Sequence, residues 1–519
     1  MRRFAAGIVC AVCVLAAADN GVWKVTPAPA ASIERDRVAD LTAHRKAVAA
    51  QIPADGMLLL YAAEPRNYAG DVDWPFRQEN DFFYLTGINQ PGSALVMIPS
   101  GAGIHEILFM APSNPAQENW TGHILTPEEG RRISGIETIW DARRLNEFLA
   151  AVMPPAKAAF AEPERGGRGA GGGRGARGGV AATPAIPVDL ATAFPKPVGQ
   201  LLLLQGRGPE YTREVALGEK VGGAVKVVNA VQTFSAARRV KSEREIDILK
   251  HAVDITAEGF QRAYALGVPG TPEYEIQAQF EFTFLRRNAH WGYPCIVASG
   301  VNATTLHYET NKDTMHAGDL LLMDDAAEYE GYSVDVTRTI PVSGKYSKLQ
   351  ADIYRLVWEA QKAGIDAARP GKTGADITGA ANKVFGEGLY KLGLITEPGN
   401  MQQIRVWFNH GISHGIGLNV HDPGGREFQP GMAITMEPGI YIRPDALENL
   451  PKTPENEKFI AAVKPAFEKY KGIGVRIEDD VLITNGEAQV LSANIPSKLE
   501  DVEAAIAKLR KSVKSTQLP

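Results

Sequence analysis

The sequence predicts an α+β protein in which an N-terminal α/β domain precedes a second domain of helices and short strands. The chain has 519 residues, more than one ordinary domain, and this length favours two or three. Hydrophobic residues make up 45% and charged residues 22%, which is typical of a globular chain with a sizeable core. Strand-like and helical patterns mix between about residues 35 and 160, and five longer helical patterns follow residue 245.

The first residues have the pattern of an export signal. Arg2 and Arg3 precede an uncharged apolar run, residues 4–18, which ends in three alanines. A basic start, a short apolar stretch and a small-residue exit are typical of a secretory signal peptide, here residues 1–18. A membrane-spanning helix needs about 20 apolar residues, so an uncleaved anchor is the alternative. We therefore expect a secreted or periplasmic protein, with no stable membrane span once the signal is removed.

Cysteine use fits this interpretation. Cys10 and Cys13 lie inside the predicted signal, and Cys295 alone remains. A single cysteine forms no internal disulfide bond, so export to an oxidising compartment is compatible with this sequence but adds no disulfide to the fold. Apolar neighbours favour a buried, inert thiol over a nucleophile.

An N-terminal domain is predicted over residues 35–235. Residues 162–187 interrupt it with glycine, arginine and alanine, which predicts a flexible insertion. Arginine–glycine tracts also bind RNA, but an exported chain with a net charge of −5 favours a plain linker and no nucleic-acid partner. The regular segments predicted around the insertion are strands at Met57–Ala62, Ala94–Ile98, Gln200–Gln205 and Lys226–Val231, with helical stretches within Glu128–Leu149.

A catalytic domain is predicted over residues 240–495, followed by a tail at 496–519. Short strands and turns dominate after residue 290, between and after the helices. Gly393 is a suitable stop for the last helix before the histidine-rich segment. The predicted helices are Ile246–Leu266, Tyr274–Asn288, Gln350–Ala368, Thr373–Leu392 and, in the tail, Lys498 to about Val513.

Two apolar runs on either side of residues 329–332 predict a β-hairpin that carries two acids. A turn centred between residues 329 and 330 places Asp324 directly opposite Asp335, and a turn one residue later places them diagonally. Either register puts both carboxylates on one face, with Asp325 pointing away unless a bulge reverses the pattern. Facing like charges destabilise a sheet, so either a divalent cation lies between them or the face is solvated and the acids are unrelated.

Three of the ten histidines fall within twelve residues, at His410, His414 and His421. The glycines among them deny this segment a stable helix and permit close backbone approach. A lone histidine is usually structural, but three in this setting favour metal ligands or proton carriers.

Two more acids, Glu437 and Glu478, lie inside or at the end of apolar strands. Burying a carboxylate without a partner is costly. Arg476 alternates onto the same face as Glu478, so an ion pair is the alternative explanation for that acid. Glu437 has no such neighbour in sequence.

Together these segments supply four carboxylates and one imidazole, on Asp324, Asp335, His414, Glu437 and Glu478. Structural zinc sites favour cysteine and histidine, so this set matches them poorly. It suits two divalent ions, most readily Mn²⁺, with Co²⁺ or Zn²⁺ as alternatives. Two such ions, about 3.5–4 Å apart, share carboxylates.

The same segments resemble the catalytic domain of the pita-bread metallopeptidases, specifically aminopeptidase P and prolidase. Residues 74–87 also look like the signature of the creatinase-type N-terminal domain that precedes it in aminopeptidase P. The resemblance implies a pita-bread catalytic fold and covers most of the chain outside the signal, the insertion and the tail. The matching catalytic segments are Leu322–Thr339, His410–Asp422, Thr435–Gly439 and Gly474–Asp480.

The resemblance assigns metal ligands to the same five positions. Asp324 would bind one ion, His414 and Glu437 the other, and Asp335 and Glu478 would bridge them. One departure is that Asp324-Asp325-Ala stands where the family often has Asp-Ala-Gly, which keeps Asp325 as a fallback for the first ligand.

The resemblance also implies catalytic positions. His307 matches a histidine near the scissile bond, and His421 matches one that stabilises the tetrahedral intermediate or the substrate carbonyl. His410 matches another histidine of the outer shell or a subsite. Tyr441 and Arg476 match residues near the proline side and the metal shell.

The implied reaction is hydrolysis of the bond between an N-terminal residue and a following proline. The paired ions would lower the pKa of a bridging water, and the resulting hydroxide would attack the carbonyl before proline. His421 would stabilise the oxyanion, and Glu437 would carry a proton to the leaving nitrogen.

Two alternatives remain open at this point. Prolidase cleaves only Xaa-Pro dipeptides with the same ligands, and hydrolysis of an Xaa-Pro-Ala tripeptide separates the two activities. A pita-bread domain without activity, used for binding, is the other, although the complete ligand set argues against it. The resemblance also implies a proline-containing peptide as substrate and a homodimer or homotetramer.

Overall fold

A computed structural model of the chain describes residues 23–101, 103–160, 194, 196–206, 208 and 211–513. The predicted signal peptide at 1–18 and the predicted insertion at 162–187 lie outside these described residues. Among the helices that are described, none combines the length and apolar character needed to cross a membrane.

The N-terminal half is built on a six-stranded mixed sheet. The strands, β1 to β8 in chain order, are Gly56–Tyr61, Asn67–Ala69, Val72–Asp73, Ala94–Ser100, Gly103–Met110, Thr138–Asp141, Gln200–Leu203 and Lys226–Asn229. The sheet order is β6-β5-β4-β1-β7-β8, and β2 and β3 form a separate pair. Strand β1 pairs antiparallel with β4 and parallel with β7. All four predicted strands of this half are confirmed, although Val231 begins a helix instead of ending β8.

Strand β1 shows why the sequences of strands in this sheet are continuous apolar runs. Met57 and Leu59 join one apolar cluster, while Leu58 and Leu60 join a second on the opposite face. Both faces of a central strand are therefore covered, mainly by helices, so its sequence does not alternate with polar residues. The helices α1 to α8 of this half are Ser32–Arg35, Arg37–Ala49, Asn80–Thr86, Pro115–Thr121, Pro127–Ser134, Leu145–Val152, Thr212–Val221 and Val231–Arg238, with 3₁₀ helices at Ala142–Arg144 and Pro154–Phe160.

The C-terminal half contains short strands in four small sheets. These strands, β9 to β19, are His290–Trp291, Ile296–Ser299, Leu320–Asp324, Ala327–Tyr329, Tyr332–Ser333, Thr337–Pro341, Ala433–Met436, Gly439–Tyr441, Gly474–Arg476, Asp479–Leu482 and Gln489–Val490. They associate as β10-β11-β14, β13-β12-β9, β15-β18-β19 and β16-β17. This mixture of short strands and long helices agrees with the predicted α+β class.

Long capped helices surround these sheets. The helices α9 to α15 are Glu243–Leu266, Glu273–Arg286, Lys348–Ala367, Gly374–Leu392, Met401–Ile404, Pro454–Tyr470 and Leu499–Val513, with a 3₁₀ helix at Gly300–Thr304. Capping boxes begin three of them, at Ser242, Ser347 and Thr373. Gly393, at φ 77°, ends α12 in the left-handed conformation that favours glycine, as the sequence predicts. The terminal helix α15 buries Val502, Ile506 and Leu509 in the main core, so the predicted tail is an integral part of the domain.

The predicted hairpin forms with the later of the two turn positions. Tyr329 pairs with Tyr332, and Asp324 pairs with Thr337, so Asp335 lies diagonally from Asp324. The ladder breaks between β11 and β12, and Asp325 is fully buried there. The side chain of Asp325 therefore leaves the face that carries the other two acids, and the bulge alternative is not needed.

Candidate active site

Two carboxylates of the hairpin meet at a shared tyrosine. Asp324 ends β11, and Asp335 lies in the segment just before β14. The hydroxyl of Tyr293 lies 2.7 Å from Oδ1 of Asp324 and 2.7 Å from Oδ1 of Asp335. A hydroxyl donates a single proton, so it cannot satisfy two ionised carboxylates at once.

Side chains from distant strands complete the cluster. Ligand atoms of Asp335, His414 and Glu478 all lie within 4.8 Å of one another. Nε2 of His414 is 3.4 Å from Oδ2 of Asp335 and 3.4 Å from Oε1 of Glu437. The structure thus brings together all five residues of the predicted ligand set, Asp324 joining through its contacts with Tyr293.

Hydrogen bonds of their backbone amides fix the positions of three of these residues. The amide of His414 donates to Oγ1 of Thr435 at 3.1 Å, and the amide of Thr435 donates back to the carbonyl of His414 at 2.9 Å. The amide of Glu437 donates to Ile412 at 2.9 Å, and that of Glu478 donates to Thr337 at 3.0 Å. Asp324 ends a strand, and Glu437 and Glu478 lie directly beside strand ends, so ordered backbone positions these ligands.

The cluster carries more negative charge than its protein partners neutralise. Burial raises the pKa of Glu478 well above its usual range, and repulsion from Asp335, Glu437 and Asp324 adds to the effect. Burial likewise raises the pKa of Asp335, with further contributions from Asp324 and Glu437. These acids are more easily ionised when a cation lies among them.

One oxygen identifies where a cation fits. Glu478 is 2% exposed, and its Oε2 accepts a hydrogen bond of 2.7 Å from Oγ1 of Thr337. Its Oε1 is buried and has no hydrogen-bond partner among the described residues. Carboxylate oxygens and one imidazole are ligands that Mn²⁺ and similar divalent ions accept. The residues present therefore fit a divalent metal centre.

Arg476 pairs with a different acid from the one its strand position indicated. Its Nη2 donates to Oδ2 of Asp324 at 2.6 Å, and its Nε donates to Oγ1 of Thr337 at 3.1 Å. Among the described residues no direct ion pair joins it to Glu478, although the charge of Arg476 acts to lower the pKa of that acid. The alternation argument missed the partner because Asp324 approaches from another sheet.

A hydrogen-bonded chain leads from Arg476 to His410. Nη1 of Arg476 donates to the hydroxyl of Tyr441 at 2.9 Å, and that hydroxyl lies 2.9 Å from Nε2 of His410. Nδ1 of His410 lies 2.7 Å from the carbonyl of Gly411, which assigns its proton to Nδ1. Nε2 therefore accepts from Tyr441, and the chain orients all three side chains.

His421 and His307 lie at the open side of the cluster. The His421 ring stacks edge-on against His414, with centroids 4.2 Å apart. Burial, followed by the proximity of His414, lowers the pKa of His421, so the ring is neutral near pH 7. His307 is exposed and lines a cavity of about 390 Å³ together with Tyr441 and Arg443. A cavity of this size is large enough for a small peptide, and its lining residue Tyr441 connects it to the acid cluster through Arg476.

Sequence reasoning missed Tyr293 and Thr337. Tyr293 contacts the carboxylates of Asp324 and Asp335, and Thr337 contacts that of Glu478. Tyr293 lies two residues before Cys295, and in this segment the sequence analysis assigned a role to the cysteine alone. That thiol is free and 4% exposed, and burial raises its pKa, which agrees with the predicted inert cysteine.

Residues 247–485 match metallopeptidase family M24, and residues 41–160 match the aminopeptidase P N-terminal domain. The clustered acids and His414 all lie within the first range. The fold and the site thus define a metallopeptidase, a hydrolase with an aminopeptidase P-type N-terminal domain.

The Xaa-Pro aminopeptidase of Escherichia coli strain K12 is 32% identical over 503 residues, covering 90% of this chain and 97% of the relative. A structure of Escherichia coli aminopeptidase P with the inhibitor Pro-Leu matches at a TM-score of 0.74 and 29% identity, covering 91% of this chain and 99% of that one. A structure of zinc-substituted Escherichia coli aminopeptidase P with product matches at a TM-score of 0.73 and 29% identity, covering 91% of this chain and 98% of that one. The chain belongs to the aminopeptidase P group of family M24 and is a metalloaminopeptidase with the pita-bread fold.

Proposed function

We propose that this protein releases the N-terminal residue from peptides that have proline in the second position. The observation that carries the proposal is the buried acid cluster, in which Oε1 of Glu478 has no protein partner in the described chain, beside a cavity lined by His307 and Tyr441. The similarity to Xaa-Pro aminopeptidases over 97% of a relative's length supports the choice of substrate class.

Asp324, Asp335, His414, Glu437 and Glu478 would hold two divalent ions. When bound, such ions would lower the pKa of a bound water and polarise the substrate carbonyl, which would make hydrolysis feasible near neutral pH. Arg476 holds Asp324 through a charged hydrogen bond, so the first ligand keeps its orientation. Asp325 points into the apolar interior beside Cys295, which favours Asp324 as the ligand.

The remaining polar groups bind and orient the peptide or move protons. His421 is neutral and faces the cluster, so its ring donates a hydrogen bond to the carbonyl oxygen as that oxygen gains charge. Glu437 lies between His414 and His410, at 3.4 and 3.5 Å, and would deliver a proton to the leaving proline nitrogen. His307, His410 and Tyr441 border the space that the peptide occupies.

A peptide panel tests the proposal. Purified protein is assayed on Xaa-Pro-Ala, Xaa-Pro and Xaa-Ala-Ala peptides, with chelator and after re-addition of Mn²⁺, Co²⁺ or Zn²⁺. We expect metal-dependent cleavage of the first peptide and no cleavage of the third. Cleavage of the dipeptide alone would make the protein a prolidase, and no cleavage of any proline peptide would refute the proposal.

Three finer proposals accompany it. We take Mn²⁺ as the native ion because hard oxygen ligands dominate the set. We propose export, with removal of the signal peptide at residues 1–18, which N-terminal sequencing of the secreted form tests. A homodimer or homotetramer is the expected assembly, and light scattering of the purified protein measures it.

A further inference from the structure

The histidine loop, residues 414–422, joins two functional histidines and is closed on itself. His414 begins it and His421 stands next to its end. The amide of Asp422 donates to the carbonyl of Gly415 at 2.8 Å, and the amide of Asn419 donates to Oδ1 of Asp422 at 3.2 Å. Within the described chain no hydrogen bond reaches the ring of His421, whose amide donates to Asn419 at 3.1 Å. The loop backbone and the packing on His414 therefore set where that ring lies.

An arginine of the N-terminal domain reaches this loop from outside. Arg77 belongs to the segment at residues 74–87 that is typical of the N-terminal domain. Its Nη2 donates to the carbonyl of Leu418 at 2.7 Å, and its Nε donates to Oε2 of Glu328 at 2.8 Å. One guanidinium thereby connects the middle of the loop to the hairpin that carries Asp324 and Asp335.

A buried ion cluster connects the same segment to the end of the loop. Arg238 donates to Oδ1 of Asp81 at 2.7 Å and also to Oδ1 of Asp422, next to His421. Lys241 donates to the other oxygen of Asp422 at 2.8 Å. The four side chains are at most 9% exposed, and their two positive and two negative charges balance. Gly417 permits this closeness, because a Cβ there would lie 2.7 Å from Oδ2 of Asp422.

We propose that residues 77–81 of the N-terminal domain position His421, through Arg77 on Leu418 and through Asp81, Arg238 and Asp422. This inference rests on the proposed function, in which His421 contacts the substrate carbonyl. Arg77 and Asp81 touch neither the metal ligands nor the cavity, so they act as positioning residues. The N-terminal domain then contributes to the rate of the chemical step.

Arg77→Met tests the proposal with little risk of misfolding, because the side chain is 47% exposed. Arg37→Met is the matched control, since Arg37 also bridges from the N-terminal domain to the catalytic domain, at 3.5 Å from Glu330, away from the loop. We expect kcat on an Xaa-Pro-Ala peptide to fall about tenfold in the first variant, with KM within about twofold of wild type. The control should keep both constants within about twofold of wild type.

A double-mutant cycle with His421→Ala shows whether Arg77 acts through that ring. In the His421→Ala background, Arg77→Met should cost less than about twofold further in kcat. An equal loss in both backgrounds, or equal behaviour of Arg77→Met and Arg37→Met, would overturn the proposal. Arg77→Lys, which keeps one charged donor, should recover part of the loss.

Amide hydrogen exchange supplies a readout that does not depend on turnover. We expect the amides of Asn419, His421 and Asp422 to exchange about tenfold faster in Arg77→Met than in Arg37→Met, with equal thermal midpoints. Unchanged exchange in this loop would reject the positioning role. Wild-type protein that cleaves no proline peptide would instead reject the proposed function, so the two failures are distinguishable.

Discussion

Replacing Glu478 with glutamine should change stability in opposite directions with and without metal. Asp335 and Glu478 place ligand oxygens within 4.8 Å of each other. Two unit charges at 4.8 Å repel by about 3.5 kcal/mol at an effective dielectric constant of about 20. A proton on one carboxyl relieves part of this repulsion. We therefore expect Glu478→Gln to stabilise the chelated protein by about 1–3 kcal/mol.

With metal present, wild type should be more stable than Glu478→Gln, because the carboxylate of Glu478 would then be a ligand. Glutamine keeps the shape and still accepts from Thr337, but it offers an uncharged oxygen where Glu478 offers a carboxylate. Loss of that charge would lower the affinity for the metal and with it the stabilisation that binding confers. Thermal midpoints of both proteins, measured in chelator and in saturating Mn²⁺ at one pH, should therefore cross.

Glu214→Gln is the control for burying a neutral amide. Glu214 is 5% exposed and also has an oxygen without a hydrogen-bond partner in the described structure, but Arg213 lies 3.4 Å away and no acid cluster surrounds it. Its midpoint relative to wild type should be the same in chelator and in metal. The charge-repulsion reasoning fails if Glu478→Gln shifts the midpoint in the same direction under both conditions.

Two further predictions concern other buried groups. Burial lowers the pKa of His44, but contacts with Glu245 and Asp40 outweigh burial and raise the pKa overall. The stability that protonated His44 contributes is therefore present below about pH 6.5 and is lost as the pH rises through the pKa of the folded state. The thermal midpoint of His44→Gln should therefore fall less than that of wild type between about pH 5.5 and about pH 8, and His316→Gln, at a side chain 80% exposed, should follow wild type. Gly417→Ala should lower kcat at least about tenfold while the protein stays folded, because the new Cβ displaces the buried carboxylate beside His421; an unchanged kcat would contradict this.

Much of the fold follows from local patterns in the sequence. Helices such as Glu243–Leu266 and Gly374–Leu392 carry both an amphipathic pattern and capping residues, and the structure confirms them to within a few residues. Strand β1 was recognisable because it is buried on both faces. The hairpin register was not decidable, since both turn positions put Asp324 and Asp335 on one face.

The candidate site was predictable as a set of residues and not as a set of contacts. Acids and histidines in apolar or glycine-rich segments are unusual enough to stand out individually. Their partners come from distant segments of the chain, as with Arg476 and Asp324 or Tyr293 and Asp335. The periodicity within one segment does not indicate which distant residue it contacts. Tyr293 gave no signal, because a tyrosine in an apolar segment is ordinarily a core residue.

The charge of the assembled site argues for two cations in place of one. Asp324, Asp335, Glu437 and Glu478 carry four negative charges when ionised, and Arg476, at 2.6 Å from Asp324, returns one positive charge. A single divalent ion would leave the buried cluster negative, and this would repel both a hydroxide and the oxygen of a carbonyl under attack. Two ions leave a small positive excess, the sign that stabilises negative charge as it develops on the substrate. We therefore expect metal analysis of the active protein to give two ions per chain. During stepwise removal of metal, activity should fall when the first ion is lost, before the second ion leaves.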